Sequence, residues 1–194
     1  MSLAHALLTS LLEQPSSGYQ LARRFDKSIG HFWRATHQQI YRELGRMEKA
    51  GWIRSEPDSD AGRGRKRSYS VLPAGEAELM RWAGESAPLT ELCDEFLVRL
   101  RADAVIGPLG LGPELERRRA LHADKLRAYH AIEARDFPPG AEGSRQRRIH
   151  HLILKAGIQY EAGWIAWYDE ALAALALDGP GEGKPQARCA DRGR

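Results

Sequence analysis

Apolar side chains recur along the first part of the chain at the spacing of short amphipathic helices. Leu3, Leu7 and Leu11 mark a helix over residues 2–13, which Pro15 brings to an end. Residues 17–20 read Ser-Gly-Tyr-Gln, the Ser-x-x-Gln form of a capping box. The pattern therefore predicts two short helices, with the second beginning at the Ser17 capping box.

A second capping box opens a third helix in which apolar and charged residues occupy different faces. Residues 36–39 read Thr-His-Gln-Gln, and Ile40, Leu44 and Met47 follow at i, i+4 and i+7. Gly51 ends the periodic run. The pattern predicts an amphipathic helix whose first turn carries polar, hydrogen-bonding side chains.

The segment after this helix has the alternation of a β-hairpin. Residues 52–56 and 67–72 predict two short strands, and residues 57–64 between them are rich in turn-forming residues. A further helix is expected to begin at Pro73. Three short helices followed by a hairpin form the element order of a winged helix-turn-helix domain.

The rest of the chain predicts long helices. Apolar stripes extend over residues 89–100 and 115–132, and the longest periodic run covers residues 149–175. A helix of that length without internal breakers favours packing against a partner. The tail from Asp178 is rich in Gly, Pro and charge and predicts disorder.

These patterns predict a mainly α fold with a small β-hairpin. The expected organisation is an N-terminal winged helix-turn-helix DNA-binding domain over residues 1–84, followed by a C-terminal α-helical dimerisation domain over residues 88–177. The second domain is also a candidate effector-binding domain, and residues 178–194 form the tail. With only two distant cysteines, and with neither a membrane-length apolar run nor a basic secretory start, we expect a cytoplasmic protein.

Charge is distributed unevenly between the two halves. The net charge is +3, but residues 1–72 carry 12 Lys and Arg against 7 Asp and Glu. The remaining residues carry 17 against 19. A basic N-terminal part suits a polyanion such as DNA, because neutralised phosphates release counterions. A randomly basic, solvated surface would explain the charge alone equally well.

Two segments carry the DNA-binding hypothesis when they are taken in order. The polar start of the third helix, Thr36, His37, Gln38 and Gln39, suits base edges in the major groove, although capping explains part of this composition. The hairpin tip carries Arg63, Arg65 and Lys66, which suit phosphates or an adjacent minor groove. Alternatively, the tip is a solvated loop, and the domain a winged-helix protein-interaction module without specific DNA binding.

The same segments resemble the PadR family of transcriptional regulators. The resemblance rests on Gly18-Tyr19, on residues 40–53 (IYRELGRMEKAGWI) and on residues 64–75 (GRKRSYSVLPAG). It covers residues 3–82, and the later helices resemble, more weakly, the subgroup with a long C-terminal helical domain. Two departures stand out: Arg42 replaces a frequent Pro, and Pro73 replaces a Thr that caps the following helix.

The resemblance implies a homodimeric repressor of a palindromic operator in double-stranded DNA. It implies that the Tyr41 hydroxyl contacts a phosphate, with Gln39 and Arg42 nearby. It also implies that the C-terminal helices of two protomers interlock, with the first helix contributing. Some members of the family respond to phenolic acids or planar drugs, so the resemblance suggests a small aromatic effector.

Aromatic residues of the C-terminal part are the candidates for that effector site. Trp164, Trp167 and Tyr168 cluster on the last helix, and Phe96 belongs to an earlier apolar stripe. The plainer interpretation is a core or a dimer interface, to which tryptophan contributes a large area. The alternative is the wall of a largely apolar ligand pocket.

Other chemistry finds little support in the sequence. No nucleophile elbow, phosphate-binding loop or paired-carboxylate arrangement is present, so an enzyme is not expected and no cofactor is predicted. The histidines, including His122, His130, His150 and His151, are expected at helix surfaces, and their spacing does not suggest a metal site.

Overall fold

The computed structural model describes residues 3–27, 35–57, 67–89, 91–140 and 143–177. The chain divides into two compact units, residues 1–90 and residues 91–194. The described residues of the first unit form α1 (Leu3–Glu13), β1 (Ser16–Ser17), α2 (Gly18–Lys27), α3 (His37–Lys49), β2 (Ile53–Pro57), β3 (Arg67–Val71) and α4 (Pro73–Ala83). Those of the second unit form α5 (Glu95–Ile106), α6 (Gly112–Asp136) and α7 (Arg145–Leu177). The predicted fold class is confirmed.

The first unit has a closed core made by one face of each of its first three helices. α1 packs on α2, α3, β3 and α4. The periodic residues of α3, Ile40, Leu44 and Met47, are buried as predicted. The other fully buried apolar residues are Ala4, Leu7, Leu8, Leu11, Leu21, Ala22, Phe25 and Ile53. Burying the stripe of α3 in this core fixes which face of that helix points to solvent.

The sheet contains one strand that the sequence pattern did not predict. β2 and β3 form the expected antiparallel hairpin, and β1 adds to the other edge of β3, so the strand order is β1-β3-β2. Ser16 pairs with Tyr69 and Ser17 with Ser68. Two serines have no detectable period, and their partners lie about fifty residues later, so only the folded chain reveals this strand.

The start of α2 is held firmly by the predicted capping box. The Ser17 N–H donates to the Gln20 Oε1 at 3.0 Å, and the Gln20 N–H donates to the Ser17 Oγ at 3.3 Å. Within the same helix, Arg24 donates to the backbone carbonyl oxygens of Ser10, in the last turn of α1, and of Gln14, just after that helix. Burial lowers the pKa of Arg24. This arginine of the basic half is therefore structural.

α4 begins at Pro73, as predicted, but Pro73 is the first helical residue and not the cap. The capping position falls to Leu72, whose side chain makes no capping hydrogen bond. Proline suits the first helical position because its missing N–H would have no partner there. Two residues later, a Cβ on Gly75 would lie 2.3 Å from the Trp52 carbonyl oxygen. Only glycine lets α4 approach the sheet this closely.

His5 joins α1 to α4 inside the first unit. Its Nε2 lies 3.0 Å from the Glu78 Oε1, and its ring stacks on Trp82 with centroids 4.5 Å apart. Arg81, followed by His5, lowers the pKa of Glu78 to about 2 by hydrogen bonding to its carboxylate. Glu78 is therefore an anion that holds two helices together.

The second unit is a helical assembly with a small core. α6 and α7 pack along each other, and Phe96, Leu115 and Tyr168 are fully buried among half-buried apolar neighbours. The expected stripe over residues 89–100 is wrong at its start. α5 begins only at Glu95, after the Asp94 cap, and Leu89 is 93% exposed. The Asp94 carboxylate caps the first turn, so the helix begins there although the apolar spacing continues further back.

The longest helix, α7, has 33 residues, and one of its faces is buried while another leaves apolar residues exposed. The face against α6 carries Glu161 and Tyr168, which are buried. The stripe predicted over residues 149–175 follows another face in its first half, where Ile149, Ile153 and Tyr160 are exposed. A helical period shows that apolar residues share a face, but not what covers it. Among the described residues, no helix is long and apolar enough to span a membrane.

Candidate nucleic-acid interface

The N-terminus of α3 is fixed by the predicted Thr36 capping box. The Gln39 N–H donates to the Thr36 Oγ1 at 3.2 Å, and the Thr36 N–H donates to the Gln39 Oε1 at 2.8 Å. Both side-chain oxygens are thus engaged in the cap, which leaves the Gln39 amide N–H groups as donors. The arrangement fixes the first turn of α3, in which residues 36–39 are exposed to solvent.

His37 ties this turn to the end of α2. Its Nε2 lies 2.9 Å from the Asp26 Oδ2, and both side chains are about half exposed. His37 therefore contributes to the placement of α3 relative to α2, the two helices of the helix-turn-helix. The neighbouring Gln38 is exposed at the same turn.

The outward face of α3 continues with polar and aromatic side chains. Tyr41 is 48% exposed, and Arg42 is exposed beside it. Further along, Arg46 donates to the Glu43 Oε1 at 2.8 Å, so its charge is partly neutralised. Gln38, Tyr41 and Arg42 together give this face hydrogen-bonding groups and one cation.

The start of α2 lies beside Tyr41, an arrangement that the sequence pattern did not predict. The Tyr41 ring lies against the Gly18 backbone. Next to Gly18, the Tyr19 side chain is 57% exposed, and the Arg23 guanidinium lies 5.8 Å from the centroid of its ring. In the sequence, the only signal for this arrangement is the Gly18-Tyr19 pair that the chain shares with the PadR family. α2 thus extends the polar surface of α3 with another phenol and another cation.

The hairpin expected as the wing is present up to its tip. β2 and β3 pair in register from Ile53 opposite Val71 to Pro57 opposite Arg67. Arg63, Arg65 and Lys66, the predicted wing contacts, lie outside the described residues. At the base of the tip, Arg67 is exposed, and its guanidinium lies 3.7 Å from the Glu48 Oε1.

Glu48 of α3 links this helix to the hairpin, close to Tyr69 of β3. The Ser55 N–H of β2 donates to the Glu48 Oε1 at 3.2 Å. Burial first, and then the negative charge of Glu48, raise the pKa of Tyr69. The Tyr69 phenol is therefore neutral, and its side chain packs against the core of the first unit.

The aromatic candidates of the second unit divide into two kinds. Phe96 and Tyr168 are buried in the core, while Trp164 and Trp167 are half-buried and pack edge to face with centroids 5.3 Å apart. The two tryptophans line an open cleft of about 330 Å³ together with Leu92, Leu97, Gln159, Tyr160 and Gly163. The cleft is apolar, with one amide side chain as its clearest polar group.

A buried carboxylate corrects the expectation for His122. Glu161 is buried, and its carboxylate pairs with the Nδ1 of His122 and lies 3.5 Å from the Nζ of Lys125. His122 also contacts the rings of Trp164 and Tyr168. Placing His122 on the helix surface was wrong, because a buried carboxylate requires partners and α6 supplies two here, His122 and Lys125.

His151 is also less exposed than expected, whereas His130 and His150 are exposed. The His151 ring stacks on Phe137 with centroids 4.7 Å apart, and its Nε2 lies 2.8 Å from the Glu133 Oε1. Within the described ranges, no group of three or more His, Cys, Asp or Glu side chains is placed to hold a metal ion.

Two family models match the chain, one in each unit. Residues 7–81 match the transcriptional regulator PadR-like family, and residues 93–176 match the model described as virulence activator alpha C-term. The chain is 40% identical over 187 residues to the probable transcriptional regulator Rv1176c of Mycobacterium tuberculosis, a match that covers 90% of this chain and 98% of that protein. It is 26% identical to the negative transcriptional regulator PadR of Bacillus subtilis, over 91% of this chain and 98% of that one.

Solved structures share the fold over nearly the whole chain. The Vibrio cholerae virulence activator AphA matches with a TM-score of 0.76 and 31% identity, over 91% of this chain and 99% of that one. Bacillus subtilis PadR in complex with operator DNA matches with a TM-score of 0.78 and 23% identity, over 89% and 97%. The same protein in complex with p-coumaric acid matches with a TM-score of 0.72 and 24% identity, over 90% and 98%.

Proposed function

The chain belongs to the PadR-like family of transcriptional regulators, and we propose that it is a homodimeric repressor that binds a palindromic operator in double-stranded DNA. As a member of this family it is a transcriptional regulator and not an enzyme. We further propose that it acts in the cytoplasm, where bacterial DNA lies, and that a small aromatic molecule releases it from DNA.

The observation that carries DNA binding is the solvent-facing surface of α3. Its first turn is held by the Thr36 cap, and Gln38, Tyr41 and Arg42 follow on the exposed side. An α-helix fits the major groove, where amide side chains read base edges. In this proposal Gln38 and the Gln39 amide read bases, Tyr41 and Arg42 contact phosphates, and Arg63, Arg65 and Lys66 contact the backbone or minor groove.

The decisive experiment is the salt dependence of binding to the DNA segment immediately upstream of the chain's own coding sequence. Affinity measured by fluorescence anisotropy between about 50 and about 200 mM salt should fall linearly on logarithmic axes. Replacing Arg63, Arg65 and Lys66 together by Ala should weaken binding to all sequences and flatten the slope. Gln38→Ala should instead alter base preference.

Arg127→Ala is the matched control, because Arg127 is an exposed arginine of the second unit. It should leave both the affinity and the slope unchanged. A wild-type chain without salt-sensitive binding would contradict the repressor proposal and favour a winged-helix protein-interaction module. Equal effects of the Gln38 and wing variants on every sequence would contradict the assigned division between base and phosphate contacts.

The proposal of a homodimer is supported by the uncovered apolar face of α7. Ile149, Leu152, Ile153 and Tyr160 are all exposed along one side of a helix about 50 Å long. Soluble monomers rarely leave contiguous apolar patches of this kind in water. In the proposed dimer a second copy covers this face, with α1 contributing, and the two α3 helices lie about one turn of DNA apart.

The effector proposal places a planar aromatic acid in the cleft beside Trp164 and Trp167. Its volume of about 330 Å³ and its apolar walls suit a one-ring ligand. Bacillus subtilis PadR, a relative, has been solved with p-coumaric acid. An effector of this kind acts by binding better to a dimer geometry in which the α3 helices no longer match the operator.

p-Coumaric acid is the probe for this effector. It should quench the fluorescence of the wild-type chain and release DNA, and a Trp164→Leu, Trp167→Leu variant should retain DNA binding but lose the release. Trp82→Leu, in the first unit, serves as the control for quenching unrelated to the cleft. Unchanged DNA affinity at saturating p-coumaric acid would exclude this phenolic acid as the effector.

A further inference from the structure

We propose that Gly18 is a positioning residue for DNA binding, because its missing side chain provides the space that orients the Tyr41 ring. The inference rests on the proposed function, in which the Tyr41 hydroxyl contacts a phosphate. It adds that the direction of this hydroxyl is set from a different helix, by the first residue of α2.

The geometry at Gly18 leaves no room for a side chain. A Cβ placed on Gly18 would lie 2.6 Å from the Cε1, 3.3 Å from the Cζ and 3.4 Å from the Cδ1 of Tyr41. Carbon atoms in contact are ordinarily about 3.5–4.0 Å apart. Gly18 is itself buried, so the ring of Tyr41 packs edge-on against a backbone that solvent does not reach.

Backbone conformation does not explain a glycine at this position. The glycines with a left-handed backbone among the described residues are Gly51, Gly107, Gly110 and Gly140, and Gly18 is not one of them. Alanine favours a helix more than glycine does, by roughly 0.5–1 kcal/mol in helix interiors. The contact with Tyr41 is therefore the reason in this structure for the absence of a methyl group.

The α2 backbone is poorly placed to retreat from a methyl group. Ser17, the preceding residue, pairs with Ser68 of β3, and its N–H and Oγ both bond to Gln20. Tyr41, by contrast, is about half exposed and can rotate toward solvent. A methyl group at position 18 is therefore expected to displace the ring and leave the fold intact.

Displacing the ring should affect binding strongly, because a hydrogen bond to a phosphate depends on the position of the hydroxyl. Phosphate contacts fix the register of a protein on the duplex but carry no sequence information. Loss of a hydrogen bond to a charged group corresponds to a fall in affinity of about tenfold or more. The loss should be equal on the upstream DNA segment and on a scrambled duplex of the same length.

The test is a double-mutant cycle on Gly18→Ala and Tyr41→Phe, with binding measured to both duplexes. Each single variant should lose about tenfold in affinity. If Gly18 acts through the Tyr41 hydroxyl, adding Gly18→Ala to Tyr41→Phe should change affinity by less than about twofold. Thermal unfolding of the Gly18→Ala variant should be unchanged or shifted upward.

Gly45→Ala is the matched control. It adds the same methyl group to α3, one turn after Tyr41, where a Cβ would meet nothing within 4 Å. It should leave the affinity within about twofold of wild type. A comparable loss from Gly45→Ala would show that any methyl group near this surface weakens binding, and it would overturn the proposal.

The outcomes separate this inference from the proposed function. A wild-type chain without salt-sensitive DNA binding removes the function and with it the inference. If the wild type binds as proposed, full affinity of Gly18→Ala or multiplicative losses in the double variant overturn the inference alone. An unaltered Tyr41→Phe overturns the inference together with the phosphate contact assigned to Tyr41. Unfolding of Gly18→Ala also overturns the inference, because the backbone would then be absorbing the methyl group.

Discussion

The two units of the chain differ in how completely each buries its own apolar side chains. Among the described residues, the core of the first unit contains eleven buried apolar residues from three helices and a strand. The core of the second unit contains three, Phe96, Leu115 and Tyr168, surrounded by half-buried neighbours. Leu152, Val98 and Val105 of the second unit remain largely in water.

This difference indicates that the two units have different roles. The first unit buries its apolar stripes in its own core, and its exposed α3 face is polar. The second unit leaves apolar area uncovered, and burying each large aliphatic side chain is worth about 1.5–3 kcal/mol. A second copy of the chain offers the same uncovered face, and a twofold contact between identical faces closes without leaving an edge.

Charging the exposed face of α7 should have the largest effect. In the proposed dimer, Leu152→Asp with Ile153→Asp places four carboxylates in the interface, so sedimentation should report half the wild-type mass. DNA affinity should fall about 10² to 10⁴-fold, because the two α3 helices, linked in the dimer, would then bind DNA separately.

Met80→Asp is the control for this pair, since Met80 is an exposed apolar residue of α4 in the first unit. It should change neither the mass nor the affinity. A doubly charged variant that keeps the wild-type mass would place the dimer contact elsewhere, or exclude a dimer. In that case the contrast between the two units would need another explanation.

A cavity in the core of the first unit should have the next largest effect. Leu44→Ala removes a fully buried side chain of α3 and should lower the free energy of unfolding by about 2–5 kcal/mol. Hydrogen exchange read by peptide should accelerate in α1 to α4 and stay unchanged in α7, because each unit has its own core. Equal acceleration in α7 would mean that the two cores unfold as one.

Much of the first unit could be predicted because its signals are local. The Thr36 capping box and the Ile40, Leu44 and Met47 stripe join residues three to seven positions apart, and a helix makes such residues neighbours. β1 could not be predicted in this way, since Ser16 finds its partner at Tyr69. Neither could the contact between Gly18 and Tyr41, which depends on how two helices pack.

The second unit was harder to predict because its periods are ambiguous. The run over residues 149–175 marked a helix correctly but did not separate the face against α6 from the uncovered one. Glu161 and His122 lie thirty-nine residues apart, and neither alone signals a buried pair. α5 begins only after the Asp94 cap, although the apolar spacing continues back to Leu92 and Leu89 and had predicted an earlier start.

Removing one helix cap from each unit should have smaller and contrasting effects. Thr36→Ala and Asp94→Ala each remove an acceptor for a backbone N–H, worth about 1 kcal/mol of stability. Asp94→Ala also removes the ion pair with Arg118 of α6. Thr36→Ala should also weaken DNA binding, since the first turn of α3 loses its fixed shape, whereas Asp94→Ala should not. Thr36→Ser should restore both properties. A loss of DNA affinity from Asp94→Ala as large as that from Thr36→Ala would remove the distinction between the units.

The smallest effect is expected from replacing either of two carboxylates, one in each unit, whose pKa values are lowered to a similar extent. Arg81 first and His5 second lower the pKa of Glu78 from 4.5 to about 2, while Arg117 and Arg118 lower that of Glu114 to about 2. A lowered pKa stabilises the folded chain above the unfolded value near 4.5, and that stability is lost as the pH falls toward about 2. Replacing either residue by Gln should therefore lower the melting temperature near pH 6 and flatten its decline on acidification.

The effects of the two variants should nevertheless differ in size, because Glu78 also pairs with a residue of another helix, whereas Glu114 pairs within its own helix. Glu78 pairs first with Arg81 of its own helix and also reaches His5 of α1, whereas both arginines that lower the pKa of Glu114 belong to its own helix. Exposed pairs within one helix contribute little, since the helix persists without them. Melting temperatures near pH 6 and pH 3 should therefore show a greater loss of pH dependence for Glu78→Gln than for Glu114→Gln. The reverse order would mean that the small core of the second unit depends more on its surface charges than the closed core of the first unit does.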